Sequence, residues 1–148
     1  VSIDADLSYD PKYILNLIEA LQNDSNIDFV LASPYMPGGG VKDVPTLRLW
    51  ISKLGNKILR FAMPNRIHTS TGIFRAYRKK VLDSLELESD GKEIHLEILS
   101  KALALGFRVK EVPAVLTGRK KGRSKFKISK TFPYIKLFFY AISRSWKL

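Results

Sequence analysis

Short apolar runs alternate with helical stripes along the first half of the chain. Residues 1–4 predict the end of a strand that runs into an acidic tripeptide, Asp4-Ala5-Asp6. Asp10-Pro11 predicts a helix start, with Asp10 as N-cap and Pro11 at the first helical position. Apolar residues at Ile14, Leu15, Leu17, Ile18 and Leu21 then predict an amphipathic helix ending near Asn23. The run Asp28-Phe29-Val30-Leu31-Ala32-Ser33 suits a buried strand. A strand, a helix and a strand form a crossover unit, which favours parallel pairing and an α/β domain.

Residues 34–45, with Gly38, Gly39 and Gly40, predict a loop without regular structure. Thr46 is the predicted cap of a second helix that carries Leu47, Leu49, Trp50, Ile51, Leu54, Ile58, Leu59 and Phe61 and closes at Pro64. Trp50 lies in that apolar stripe and is read as core. A strand or extended turn is expected over 72–77, a short helix over 78–85, and a clear helix over 92–105 with Gly106 as its C-terminal cap. Residues 107–116 predict a strand whose later part, at Pro113, lies at an edge. Residues 117–129 read as a basic loop. From 131 onward Ile135, Phe138, Phe139, Ile142 and Trp146 share one helical face, opposite Lys136, Tyr140, Ser143, Arg144 and Lys147. That is the pattern of a helix lying in a membrane interface, and equally of one packing on a core. Lys136 and Arg144 make spanning a bilayer costly.

Length and charge narrow the picture. At 148 residues the chain suits one domain, and the absence of Cys excludes a disulfide scaffold, a thiolate zinc site and a thiol nucleophile. It begins with Val1 rather than Met, so a segment of a longer chain is expected. The net charge is +11. Residues 1–74 are balanced, and no acid follows Glu111, whereas Arg119, Lys120, Lys121, Arg123, Lys125, Lys127, Lys130, Lys136, Arg144 and Lys147 all do. Such an end is suited to phosphates, nucleic acid or an acidic membrane surface.

Two carboxylates one residue apart on an extended backbone can face the same way. Hard divalent ions take such oxygens, often together with substrate phosphates, and ligands of open α/β sheets gather where strands end. Solvated turn acids ahead of a helix give the same pattern. Glu93, Glu97 and Lys101, four apart, read as a salt-bridged outer stripe. His68 and His95 are isolated and read as ordinary histidines rather than ligands.

The run Asp4-Ala5-Asp6-Leu7 before Asp10-Pro11 resembles the DxD segment of family 2 GT-A glycosyltransferases, particularly the dolichol- and polyprenyl-phosphate sugar transferases. Further segments agree in order: Ser33-Pro34-Tyr35 with Gly38-Gly39, Ser52 and Asn56, Thr71-Gly72-Ile73-Phe74-Arg75-Ala76-Tyr77-Arg78, Glu97-Ile98, Gly106-Phe107-Arg108-Val109, Glu111-Val112-Pro113, and Arg119 followed by Gly122, Ser124 and Lys125. The resemblance implies the C-terminal portion of an α/β, Rossmann-like GT-A fold over 1–130, followed by an amphipathic membrane-interfacial helix over 131–148. The half that grips the nucleotide base would precede Val1, so the chain alone is expected to be inactive. Pro34 stands where many relatives carry arginine, and Thr69 where many carry aspartate.

The resemblance implies metal-dependent, inverting transfer from a nucleotide-diphosphate sugar to a polyprenyl or dolichyl phosphate. Asp4 and Asp6 would be the catalytic, metal-holding residues for Mn or Mg. Arg119, Ser124 and Lys125 would hold phosphate oxygens, with Gly122 giving backbone access. Ser33, Tyr35, Gly38, Gly39 and Arg75 would form a substrate loop, although Arg75 and Tyr77 could instead pack beside the sheet. Phe138, Phe139 and Trp146 would meet an anionic membrane, which places the chain peripherally on its cytoplasmic face. A saccharide or protein hydroxyl acceptor would need a positioned general base. The alternative of another class is a non-catalytic basic module for anionic lipid or nucleic acid. No nucleic-acid fold signature accompanies the charge, so nucleic acid is not an expected partner.

Overall fold

The protein is described by a computed structural model covering residues 1–62, 67–91 and 93–118. Strand β1 (Phe29–Ser33) is buried at every position. Phe29 and Leu31 pack against Leu59, Val81, Leu96 and Leu99, while Val30 and Ala32 pack against Leu17, Leu21, Phe74 and Ala76. Successive strand residues face opposite ways, and cover on both faces is why β1 reads as an unbroken apolar run.

Helix α1 (Tyr13–Gln22) covers one face through Leu17 and Leu21. It starts later than expected. Asp10 Oδ1 accepts the Lys12 N–H at 3.0 Å and its carbonyl accepts the Tyr13 N–H, so Asp10-Pro11 forms the turn into the helix instead of its cap and first residue.

Strand β2 (Gly40–Lys42) corrects the expectation of an irregular 34–45 loop. It pairs in parallel with a late strand that the local pattern of 34–45 could not reveal. Helix α2 (Thr46–Ala62) begins at Thr46, which is its first residue rather than its cap. It turns Asn56 and Leu59 inward. Trp50 is not core: it is 73% exposed, in line with Leu47, Ile51, Leu54, Ile58 and Phe61, the last 84% exposed. The apolar stripe of α2 faces outward because Ser52, Asn56 and Leu59 make the inner contacts.

β3 (Arg75–Tyr77) runs antiparallel to β1, and β4 (Val109–Pro113) runs parallel to it, giving the order β3-β1-β4. Ser2 bridges Arg75 on the other side of β3. Two antiparallel steps leave the first segment parallel to β1, as a crossover requires, but with β3 lodged between them. That segment contributes a single bridge instead of the expected strand end.

Between β3 and β4 lie α3 (Lys79–Asp83) and α4 (Ile94–Ala104). Gly106, at φ +82°, ends α4: its N–H donates to the Leu103 carbonyl and the Phe107 N–H to the Ala102 carbonyl. This paired closure uses the left-handed backbone that glycine adopts cheaply. The expected 107–116 strand is divided at Ala114. β4 serves the first sheet and β5 (Val115–Thr117) pairs with β2 in a second. Pro64, the stretch from Arg119 onward and the helix expected over 131–148 lie outside the described residues.

The Glu97–Lys101 pair forms at 2.7 Å but is no outer stripe, since Glu97 is 2% exposed. Its carboxylate also accepts the N–H groups of Glu88 and Ser89, each at 2.9 Å. Burial pushes this carboxyl up, yet Lys101 and the Ser89 and Glu88 donors outweigh burial and hold it at about 2, below the usual 4.5. A carboxyl depressed on folding stabilises the protein above its ordinary pKa, and the gain is lost as pH falls through the folded value. Glu97→Gln should therefore cost about 3 kcal/mol at neutral pH. In urea titrations the gap to wild type should narrow below pH 4.5 and close near pH 2.

Candidate active site

Several segments converge at the end of the sheet where β1 stops. The Ser8 carbonyl accepts the Thr117 N–H at 2.8 Å and Tyr9 bridges Leu116, which stitches the acidic turn to β5. The other edge of β5 carries β2, and the Gly118 N–H donates to the Lys42 carbonyl at 2.8 Å.

Within the turn, Asp6 Oδ1 accepts the Ser8 N–H at 3.0 Å and the Ser8 hydroxyl, beside Leu7 at φ +55°. Asp4 and Asp6 are both half-buried. Burial pushes the Tyr9 hydroxyl pKa well above its ordinary value, and charge on Tyr35 and on Asp4 pushes it the same way. Tyr9 thus lies within electrostatic reach of both the acidic turn and the segment leaving β1.

That segment forms one wall of a cleft of about 380 Å³. Tyr35, Met36, Gly39 and Gly40 line it on one side, Lys53, Asn56, Lys57 and Arg60 of α2 on the other, and His68 adds to the lining. The Tyr35 hydroxyl donates to Ser52 Oγ at 2.8 Å and ties the two walls together. A Cβ on Gly39 would fall 2.4 Å from the Ser33 carbonyl oxygen, so only glycine lets the chain fold this closely over the strand end. Gly38 makes the turn at φ +84°.

The loop from Ile67 to Ile73 is pinned from several sides. Ser33 and Thr69 share a hydroxyl–hydroxyl bond of 2.7 Å. Glu111 accepts the N–H groups of His68 and Thr69, each at 2.9 Å, and lies 2.7 Å from His68 Nδ1. Asn56 Oδ1 accepts the Ser70 N–H at 2.8 Å. Arg75 is fully buried and donates to the carbonyls of Ser70, Gly72 and His95. Burial pushes its guanidinium pKa down.

Of the residues singled out from sequence, Tyr35 and Gly39 line the cleft, and Gly38 shapes its edge. Ser33 lies beneath it, fully buried. Arg75 packs beside the sheet, one of the two placements the sequence left open, with its guanidinium given to three backbone carbonyls. Arg119, Gly122, Ser124, Lys125, Phe138, Phe139 and Trp146 lie outside the described residues. The cations Lys53, Lys57 and Arg60 were not singled out. Their signal was present, since spacings of four and three put them on one side of a helix whose adjoining face is apolar.

Among the described residues, no group of three or more His, Cys, Asp or Glu side chains could hold a metal ion. Magnesium-type ions that share a phosphate substrate need only one or two protein carboxylates. Asp4 and Asp6 supply two carboxylates in the acidic turn, and Ser8 fixes Asp6 Oδ1 through its N–H and its hydroxyl.

A sheet with parallel pairing, two carboxylates and a cation-lined cleft where β1 ends fits the class of α/β domains that take phosphate-bearing ligands. The chain belongs to glycosyl transferase family 2, whose model matches residues 1–86. It is 38% identical over 128 residues to a polyprenol monophosphomannose synthase of Mycolicibacterium smegmatis, covering 84% of this chain and 48% of that protein. It is 38% identical over 138 residues to a dolichol-phosphate mannosyltransferase of Pyrococcus furiosus, covering 92% of this chain and 38% of that protein. The chain thus spans less than half the length of each of these relatives.

Proposed function

We propose that this chain is the acceptor-side part of a GT-A glycosyltransferase that moves a sugar from a nucleotide-diphosphate sugar to a polyprenyl phosphate at an anionic membrane surface. One observation carries the acceptor. The cation-lined wall of the cleft and the exposed apolar stripe of α2 adjoin on the same helix. Leu47, Trp50, Ile51, Leu54, Ile58 and Phe61 fall within about 100° of the helix circumference, the width of a buried apolar face, yet they are exposed. A molecule with a phosphate head and a long apolar tail meets both surfaces at once. The names of the two relatives support that substrate class and make mannose the first sugar to test.

In this reading Asp4 and Asp6 would hold a Mg or Mn ion, which when bound offsets the charge growing on the leaving nucleotide diphosphate. Lys53, Lys57 and Arg60 draw the acceptor phosphate into the cleft. A phosphate oxygen is already an anionic nucleophile and needs no carboxylate base. At Thr69, where many relatives carry aspartate, the hydroxyl is committed to Ser33. Attack opposite the leaving group inverts the sugar carbon. The intact native protein should form a polyprenyl-phosphate sugar from a mannose nucleotide, a divalent ion and polyprenyl phosphate. Product with a free saccharide and none with the lipid phosphate would overturn the reading.

Membrane contact is assigned to α2, in addition to the 131–148 helix read from sequence. No helix among the described residues is long and apolar enough to cross a membrane. Trp50, Phe61 and their neighbours instead suit an in-plane position, with basic side chains of α2 adding about 1 kcal/mol each toward an anionic leaflet. Trp50→Glu with Phe61→Glu should lower binding of the intact protein to phosphatidylserine vesicles at least roughly tenfold and leave thermal stability unchanged. Undiminished co-sedimentation would remove α2 from the membrane.

A further inference from the structure

We propose that His68, oriented by Glu111, is an acceptor-binding residue that donates a hydrogen bond from Nε2 to the acceptor phosphate; this rests on reading the cleft as the acceptor site. Glu111 lies on β4, opposite Leu31 of β1, so its carboxylate is placed by the sheet and not by a loop. It already accepts two backbone N–H groups, from His68 and Thr69. A carboxylate so occupied is an acceptor toward the ring as well, and the 2.7 Å contact therefore puts a proton on Nδ1. Nε2 is the remaining polar atom of the ring, and His68 lines the cleft together with Lys53, Lys57 and Arg60.

A carboxylate behind an imidazole fixes its tautomer and orientation and balances the positive charge when Nε2 is also protonated. In that state the ring offers a charged N–H to a phosphate oxygen. Among the described residues, the titratable and charged groups around His68 are Glu111 on β4, Lys53, Lys57 and Arg60 on α2, and Tyr35 on the segment after β1.

The test is the KM for a short polyprenyl phosphate, measured on the intact native protein. His68→Asn keeps an amide N–H toward Glu111 but removes the Nε2 position. Its acceptor KM should rise roughly tenfold, the scale of one charged hydrogen bond, and the donor KM should be unmoved. His68→Gln places a neutral amide near Nε2 and should give an intermediate acceptor KM. Either variant keeping the wild-type acceptor KM would overturn the assignment, as would a rise in both substrates' KM, which marks loss of loop order. Failure of wild type to use polyprenyl phosphate at all would instead refute the acceptor reading beneath it.

Discussion

Asp6→Asn in the intact protein should lose sugar transfer by roughly a thousandfold while melting with wild type. The reason is a division of labour within one carboxylate. Asp6 Oδ1 holds the turn by accepting from Ser8, through its N–H and its hydroxyl. An asparagine oxygen can accept the same bonds, so the turn and the stitching of Ser8–Tyr9 to β5 survive. What the substitution removes is the negative charge, half of the pair proposed to hold the cation. The loss of metal-assisted charge stabilisation is worth several kcal/mol, which sets the thousandfold scale. Transfer assays across a series of manganese concentrations, with melting curves in parallel, measure both halves of the statement. Near-normal turnover by Asp6→Asn would end the metal assignment.

Arg75→Met should destabilise the protein by about 4 kcal/mol, the cost of breaking a buried charged network by removing one partner. Arg75 is 0% exposed. Its guanidinium serves the carbonyls of Gly72, Ser70 and His95, which joins the cleft-lining loop to the start of α4. Methionine fills much of the volume but donates nothing, so those carbonyls would lose their donors in an apolar surrounding. For a domain of this size the melting temperature should fall by roughly 10 °C or more. Loop order should loosen at Ser70 and Gly72, whose carbonyls Arg75 holds, while Thr69 and the Ser70 N–H keep their bonds to Ser33 and Asn56. A variant that melts with wild type would show that the carbonyls find other donors.

Arg75 and Arg78 also show where the motif reading stopped. The stretch from Phe74 to Arg78 resembled a family signature, and a signature invites a ligand-facing role. In the fold Arg78 reaches back to the carbonyls of Leu21 and Ile27 and anchors the end of α1, while Arg75 anchors the loop. A residue type suited to phosphate is equally suited to gathering carbonyls, and the sequence does not say which it meets. Trp50 erred the other way: a helical apolar stripe implies cover, and among the described residues it is left 73% exposed.

The elements themselves were written locally. β1 as an all-apolar run, α1 and α4 as periodic stripes, and the Gly106 closure follow from nearest-neighbour chemistry. Only the tertiary structure decided the rest. It lodged β3 between the first segment and β1, drew Gly40 into a strand through a partner 75 residues away, and divided 107–116 between two sheets. It also set Glu111 behind His68, 43 residues apart. Strand neighbours and ion pairs across such separations are fixed by which faces bury together, and a linear pattern records that a face is apolar without naming what it meets.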